Sequence, residues 1–251
     1  MGLRTYCEGR RIGPPRVALL LLAVLAAGTR EAGAQQPNID TPYRWIDRSM
    51  RAGLSPGYIF TGRGSLELGP GSTPTIAGRF RIRVGSPLSI GINTTYGGSD
   101  RFVVNPLAEG GPAVVDTVGS SWLLVELGVQ FAFTGARTWH GVQPYILIGG
   151  GALFGLQNEV SPLVELLGLE PFVFKVGTWP SFLAGGGMEW LVSSRVGLGF
   201  EFRDHIWRMK TPDGFFDPLV LENIIESGAP APQESQWTNN FELSLTLWFY
   251  L

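Results

Sequence analysis

Hydrophobic and polar residues alternate along most of the chain after residue 57, in segments bounded by glycine, proline and other turn-forming residues. A period of two predicts β-strands that have one apolar face and one polar or small face. Eight segments fit this description, namely 58–68, 75–84, 88–96, 122–133, 144–154, 182–190, 196–203 and 240–251. Bacterial membrane barrels have an even number of such strands. The pattern therefore predicts an all-β fold, an eight-stranded antiparallel transmembrane β-barrel over residues 57–251.

The second segment shows the alternation most clearly. Ile76, Phe80, Ile82 and Val84 alternate there with Ala77, Arg79, Arg81 and Arg83. A helix would distribute the three arginines around its axis, whereas a strand places them on one face. The segment 144–154 carries apolar residues of both parities, so its two faces stay unassigned.

The lengths of the connections predict which end of the barrel faces outward. The connections after the third, fifth and seventh segments each exceed 20 residues and fall on one side, whereas those after the second and sixth are tight. Outer-membrane barrels have long outer loops and short periplasmic turns, so the N-terminus is expected in the periplasm. Seven tryptophans near the strand ends are predicted to be interfacial aromatics: Trp122, Trp139, Trp179, Trp190, Trp207, Trp237 and Trp248. A soluble sandwich or lipocalin-like barrel would not require that placement.

Residues 1–34 have the features of a secretory signal peptide. A leader with four arginines precedes the eleven-residue apolar run 17–27, and Ala32-Gly33-Ala34 offers a cleavage site. The pair Arg10-Arg11 leaves twin-arginine export as an alternative. The single cysteine, Cys7, would leave with the signal, so the mature chain is expected to contain no disulfide.

Residues 35–56 are predicted to form an N-terminal segment with a short amphipathic helix. Asp40 or Thr41 could cap it, Pro42 suits the first turn and Gly53 follows the end. Such a helix could be a periplasmic lid, an interfacial collar or a plug inside the barrel.

Charge excludes one class of partner. Without the five basic and two acidic residues of the signal, 14 basic and 19 acidic residues remain, a net charge of −5. No basic run survives, so a nucleic-acid partner is not expected. The two histidines, His140 and His205, are too far apart in sequence to suggest a metal site, and no spacing suggests a nucleotide or any other cofactor.

Ten charged residues fall on the faces predicted to point inward, and their charges balance. They are Arg63, Glu67, Arg79, Arg81, Arg83, Glu126, Glu189, Glu201, Arg203 and Glu242. An eight-stranded barrel has room for little more than its own side chains. We therefore expect a closed interior of paired charges, with a gated ion path or an anion site as the alternative.

Four segments resemble the small outer-membrane barrels of the OmpA, OmpX and OmpW type. They are 144–151 (PYILIGGG), 185–190 (GGGMEW), 195–203 (RVGLGFEFR) and the terminal 241–251 (FELSLTLWFYL). The resemblance implies a bacterial outer-membrane location, contact with outer-membrane lipid and recognition by the barrel-assembly machinery. The assembly signal would be Phe241, Leu243, Leu245, Leu247, Phe249 and Leu251, although the family usually ends in Phe or Trp. Its members include structural, adhesive, channel-forming and enzymatic proteins.

The expected function is a non-enzymatic structural or surface-interaction role. One alternative is a lipid-modifying hydrolase of the outer leaflet that uses His205 beside Asp204. Ser227 and Ser235 lie in the following loop, but no nucleophile stands at a recognisable spacing. The apolar loops 160–176 and 217–226 could pack together as a cap, bind a surface partner, or admit a hydrophobic ligand. In the last case the barrel would be a narrow channel for small hydrophobic solutes.

Overall fold

The computed structural model describes residues 41–108 and 111–251. The predicted signal peptide 1–34 and residues 35–40 lie outside the described residues. In chain order the strands are β1 (Tyr43–Trp45), β2 (Met50–Thr61), β3 (Thr73–Arg83), β4 (Leu88–Asn105), β5 (Ala113–Ala132), β6 (Arg137–Trp139), β7 (Val142–Asn158), β8 (Thr178–Leu191), β9 (Val196–Lys210) and β10 (Ser235–Tyr250). Helix α1 (Pro162–Leu167) lies between β7 and β8, and helix α2 (Pro218–Glu226) between β9 and β10.

Eight of these strands close into one antiparallel barrel, which confirms the predicted fold. Strands β2 to β5 pair in chain order, β5 pairs with β7, and β7 to β10 again follow chain order. The barrel closes where β10 pairs with β2, from Asn240 opposite Thr61 to Tyr250 opposite Arg51. Strands β1 and β6 form a short additional pair beside the turn that enters β7.

Apolar side chains cover the outside of the barrel and polar side chains fill its inside. Ile148, for example, is 65% exposed, while the interior contains buried arginines and glutamates such as Arg79 and Glu201. In water this arrangement would expose the hydrophobic surface and bury the charges. It suits a barrel surrounded by lipid, and the transmembrane β-barrel is thereby confirmed.

The predicted N-terminal helix is wrong. The segment 43–52 instead forms β1 and the first residues of β2, which pair with β6 and with β3 and β10. An isolated helix of about ten residues is marginally stable, whereas strand pairing here satisfies the backbone and extends the closing seam of the barrel. The described helices lie between the barrel strands, and none of them is long and apolar enough to cross a membrane.

The barrel has two dissimilar ends, which we call the cap end and the turn end. At the turn end, short turns join β3 to β4 and β8 to β9, and β10 finishes there. At the cap end, β4 and β5 run on for 18 and 20 residues, so that much of the predicted long loop 97–121 is strand. Both helices begin with a side-chain cap, because Ser161 and Asp217 accept backbone N–H groups of Leu163 and Leu219.

The connections at the cap end pack onto the barrel and form what we call the outer cap, residues 159–177 and 211–234 with the tips of β4 and β5. One buried apolar cluster combines residues of the barrel lumen with five residues of this cap, namely Phe174, Val176, Phe215, Val220 and Ile224. The outer cap is therefore an extension of the folded barrel rather than a set of separate loops.

Candidate functional site in the barrel lumen

Glu201 of β9 lies at the centre of the lumen and accepts hydrogen bonds from two other strands as well as from its own. It accepts hydrogen bonds from Arg79 and Arg81 of β3, from Arg203 of its own strand at 2.7 Å, and from the hydroxyl of Tyr145 of β7. All five side chains are buried. Such a carboxylate can compensate guanidinium groups that would otherwise repel one another across the narrow barrel.

His205 forms a second bridge, closer to the cap end. Its Nδ1 lies 3.1 Å from Glu126 of β5 and its Nε2 lies 3.0 Å from Glu242 of β10. Glu126 also accepts from the hydroxyl of Ser181 and Glu242 from that of Thr75. Because an ionised carboxylate only accepts, this geometry requires either an imidazolium or a proton on one carboxyl group. The histidine thus ties β5, β9 and β10 together.

A third group lies toward the turn end. Arg51 of β2 lies 3.4 Å from Glu189 and donates to Gln130 at 3.0 Å. The hydroxyl of Tyr250 donates to Glu189 as well. The guanidinium groups of Arg51 and Arg81 lie 5.3 and 4.7 Å from the ring centroid of Trp248. Together with the groups around Glu201 and His205, these residues make a continuous network that we call the ionic column.

Beyond His205 the lumen becomes apolar. The rings of Trp122 and Trp207 lie 6.0 Å apart, and both side chains are fully buried with Ile59, Leu124 and Leu153. A Cβ at position 97 would clash with the indole of Trp122, so glycine is required where the ring crosses β4. We call these five residues the aromatic plug, which is continuous with the core of the outer cap.

The chain that precedes β2 crosses the lumen mouth at the turn end. Ile46 is buried against Trp248 and Tyr250, and its backbone N–H donates to Ala136. Arg83 donates to the carbonyls of Ile46 and Arg48, each at 2.6 Å. Residues 46–49, which we call the strap, are therefore fixed at both sides of the mouth.

The structure brings seven of the ten predicted interior charges into the lumen: Arg79, Arg81, Glu126, Glu189, Glu201, Arg203 and Glu242. Arg83 lies half-buried at the turn end, bonded to the strap. The placement of Arg63 and Glu67 in the interior is wrong. Strand β2 ends at Thr61, and the following residues form a turn with positive φ angles at Gly64 and Glu67, so the alternation of a strand no longer applies there. Arg63 instead stacks on Phe102, with 4.2 Å to the ring centroid, and Glu67 is exposed.

Sequence reasoning missed several members of the ionic column. Arg51 had been placed in the predicted helix, and Tyr145 lies on the strand whose faces were unassigned. Gln130 lies on the face of its strand that is predicted to point inward, with Glu126, but it carries no charge and so is not among the ten predicted interior charges. His205 lies two residues from the inward Arg203 and shares its parity.

Three of the seven predicted interfacial tryptophans lie inside the barrel. Trp122, Trp207 and Trp248 are each 0% exposed, so their placement at the lipid interface is wrong. Each shares the parity of inward residues on its strand, such as Arg203 for Trp207, and that signal outweighs closeness to a strand end. Trp139, Trp190 and Trp237 are about half exposed at the strand ends, and Trp179 packs against Phe174 of the outer cap.

The histidine proposed for catalysis is not beside the predicted serines. His205 points into the lumen, whereas Asp204 faces the other side of β9 and accepts from Asn239 and Asn240. Ser235 accepts from Arg208, and Ser227 donates to Ile224 in the outer cap. These residues form no catalytic triad. No group of three or more metal-ligating side chains occurs in residues 41–108 and 111–251.

The residues of the predicted assembly signal lie along the outer face of β10. Phe241, Leu243, Leu245 and Phe249 are exposed there, Leu247 is partly buried, and the exposed Leu251 follows the strand. Recognition of these residues by the barrel-assembly machinery stays a prediction.

Comparison with known proteins finds matches among solved structures only. No protein-family model matches the sequence, and a comparison with curated protein sequences finds no match. Outer membrane protein OprG from Pseudomonas aeruginosa is 10% identical, with a TM-score of 0.48 over 81% of this chain and 98% of OprG. Neisserial surface protein A is 10% identical, with a TM-score of 0.44 over 84% of this chain and 98% of that one. The N-terminal β-barrel domain of Pseudomonas aeruginosa OprF is 9% identical, with a TM-score of 0.36 over 79% and 98%.

Similarity at this level says nothing of activity or partners. The chain's own geometry, eight closed strands with an apolar exterior and a polar lumen, is that of the transmembrane β-barrels found in bacterial outer membranes.

Proposed function

We propose that this protein is a non-conducting barrel of the bacterial outer membrane that holds the outer cap at the cell surface as a site of interaction. One observation carries the proposal: the lumen is crossed by bonded or packed side chains at every level from the strap to the outer cap. The ionic column and the aromatic plug lie in series along it. An eight-stranded barrel is just wide enough to be filled by its own side chains.

The composition of the outer cap supports a role at a surface. Its helices are capped and packed on a buried core, yet Leu166 of α1 is 78% exposed and Leu219 of α2 is 72% exposed. Apolar side chains that an ordered loop keeps in water are typical of interaction sites. Because outer-membrane barrels carry their larger loops outside, the cap end would face the medium and the turn end the periplasm.

A channel for small hydrophobic solutes has less support. Such a path would need an apolar passage beneath the outer cap, and Trp122, Trp207 and Leu153 occupy that level.

Single-channel recording in planar bilayers tests the closed lumen. We expect no discrete conductance steps from the folded protein, while an open porin incorporated in the same way gives regular steps. Heat-dependent migration in gels establishes that the protein is folded before it is added. Reproducible steps from the folded protein would overturn the proposal of a closed barrel.

Cysteine labelling on intact cells tests the location and the orientation. The only cysteine is Cys7, within the predicted signal, so single cysteines can be introduced without background. We expect a membrane-impermeant maleimide to label Leu166→Cys on intact cells, and to label Arg195→Cys in the β8–β9 turn only after permeabilisation. The opposite pattern would reverse the orientation, and no labelling of either variant in intact cells would contradict surface exposure.

A further inference from the structure

The pair of strands β1 and β6 presents an aromatic and cationic surface at the turn end. Their register places Tyr43 opposite Trp139 and Trp45 opposite Arg137, so all four side chains share one face. We call it the β1–β6 face. Trp45 is 60% exposed and Trp139 54% exposed. The guanidinium of Arg137 lies 4.3 Å from the centroid of the Trp45 ring, a cation–π contact that orients the group and leaves its N–H edges available.

This face continues the lipid-facing surface of the barrel. Trp139 pairs with Val142 of β7, and Val142 pairs with Trp190 of β8, whose side chain is exposed on the outside of the barrel. Paired residues lie on the same side of a sheet, so Tyr43, Trp139 and Trp190 follow one row. Tyrosine and tryptophan in such a row are typical of the boundary between hydrocarbon and headgroups.

A cleft of about 330 Å³ opens beside Trp45. The strap contributes Ile46, Asp47 and Arg48 to its walls, the end of β8 contributes Leu191, and the β8–β9 turn contributes Ser194. Its lining therefore combines apolar walls with one guanidinium group, one hydroxyl and the carboxylate of Asp47. The guanidinium group and the hydroxyl suit a phosphate attached to an acyl glycerol, provided that the arginines around the cleft outweigh Asp47.

The charges at this end favour an anionic ligand. Four arginines lie at this end, namely Arg44 in β1, Arg48 in the strap, Arg137 in β6 and Arg195 in the β8–β9 turn. None of them has a carboxylate within salt-bridge distance in the described part of the chain. Among the described residues of those elements, Asp47 is the only acidic one. The four arginines outnumber Asp47, so a net positive patch lies next to an aromatic membrane boundary.

We propose that the β1–β6 face and the adjoining cleft bind an acidic glycerophospholipid, with Arg137 and Arg48 holding its phosphate on either side of Trp45. The acyl chains would lie along Trp139 and Trp190, on the outer surface of the barrel. Continuity with that surface favours a lipid over a soluble anion or an acidic protein. The N-terminal segment then supplies half of the binding site, which gives β1 and the strap a role besides covering the lumen mouth.

Native mass spectrometry of the detergent-solubilised full barrel tests the proposal. Phosphatidylglycerol and phosphatidylcholine with identical acyl chains compete for the protein, and the ratio of the two bound species is measured. We expect the wild type to retain phosphatidylglycerol preferentially, and each of Arg137→Gln and Arg48→Gln to lower the ratio about fivefold. The matched control combines Arg208→Gln and Lys210→Gln, two exposed cations at the cap end, and should leave the ratio unchanged.

Three outcomes would overturn the proposal. They are an equal loss in the cap-end control, an unchanged preference in the Arg48 and Arg137 double variant, and displacement of the lipid by glycerol phosphate at equal concentration, which would identify a soluble anion instead. If the double variant does not fold, the wild-type protein still tests the proposal. Its preference for phosphatidylglycerol must fall as the ionic strength rises, and a preference that is independent of salt would contradict binding through arginines. The lipid ratio does not depend on the orientation or the conductance of the barrel. A failure of the lipid-binding proposal is therefore distinguishable from a failure of the proposed function.

Discussion

Toward the cap end the lumen is filled by Trp122, Trp207 and aliphatic side chains, whereas toward the turn end it is filled by arginines and glutamates. The aromatic plug is stabilised by packing and by removal of apolar area from water, which individual substitutions weaken in proportion to the volume removed. The ionic column is stable only while every charge has its partner, because a buried charge without one is far more costly than the pair is favourable. The aromatic plug and the ionic column should therefore respond very differently to mutation.

The largest effect is expected at the centre of the ionic column. Glu201→Gln removes the one carboxylate shared by Arg79, Arg81 and Arg203, and it leaves three buried guanidinium groups competing for the remaining glutamates. We expect the free energy of unfolding to fall by about 3–5 kcal/mol. Urea titration of the micelle-bound barrel, followed by tryptophan fluorescence, measures the change.

The matched control for this variant is Glu222→Gln, an exposed glutamate on α2. It should change stability by less than about 0.5 kcal/mol, as surface substitutions usually do. Equal effects of the two variants would show that the charges of the lumen are not coupled through Glu201.

A smaller loss is expected when the aromatic plug is opened. Trp207→Ala removes a fully buried ring that packs on Trp122, and we expect a destabilisation of about 3 kcal/mol, at the low end for a buried tryptophan because the cap connections can move inward. Trp237→Ala, on the neighbouring strand but half exposed, should cost clearly less. Urea titration of both variants gives the difference.

The conductance of the same variant shows which of the two fillings blocks the lumen. Because the ionic column still crosses the lumen below the plug, Trp207→Ala should remain silent in planar bilayers. Channel activity in this variant alone would mean that the aromatic plug, and not the column, is the barrier.

The alternation of polar and apolar residues determines how much of the barrel and its interior the sequence could predict. Alternation identified the eight barrel segments and seven of the interior charges, because period two is imposed by the strand itself. It failed at Arg63 and Glu67, where the pattern continues by chance past the end of β2. It also missed Arg51, because Pro42 and Gly53 are typical of helix boundaries. Pairing with β3 and β10 nevertheless makes Arg51 part of a strand.

The positions of the tryptophans could not be predicted from sequence for a different reason. Trp122 and Trp207 have the parity of the lumen, but both lie near strand ends, where an interfacial girdle is expected on composition alone. Only the folded outer cap shows that the barrel continues beyond the membrane at that end, so that the end of a predicted strand is not the edge of the lipid. Partners across the lumen, such as Tyr145 for Glu201, depend on the register of several strands at once and have no local signal.

At the mouth of the ionic column, the strap should respond more weakly than the column itself. Arg83→Gln removes two charge-assisted hydrogen bonds to the carbonyls of Ile46 and Arg48, which we expect to weaken docking of the strap by about 2 kcal/mol. Limited proteolysis within residues 41–49 should become faster, with little change in global unfolding. Arg195→Gln, in the exposed β8–β9 turn, should leave the cleavage rate unchanged, and an equal acceleration would mean that net charge rather than the two bonds holds the strap.

The smallest effect is expected in the outer cap, where one half-buried carboxylate joins α1 to β5. Asp116 accepts hydrogen bonds from the hydroxyl of Ser161, the N-cap of α1, and from the backbone N–H of Thr117. These two bonds lower the pKa of Asp116 below its ordinary value of 3.8. A lowered pKa in the folded state stabilises the contact at pH values above the ordinary pKa, and the contribution is lost as the pH falls through the depressed value.

The signal of an environment-sensitive fluorophore attached at Leu167→Cys on α1 should therefore be constant from neutral pH down to about pH 4, and should change only on further acidification. Asp116→Asn should remove that change, because its amide still accepts from Ser161 but no longer titrates. Asp213→Asn, whose exposed carboxylate pairs with Lys210 on the other connection, should retain it. If the acid response persists in Asp116→Asn, other carboxylates of the outer cap cause it, and the pH dependence of the cap does not come from the contact between Asp116 and Ser161 alone. If it disappears, packing stabilises the cap end at every pH above that point, in contrast to the ionic column, which depends on charge.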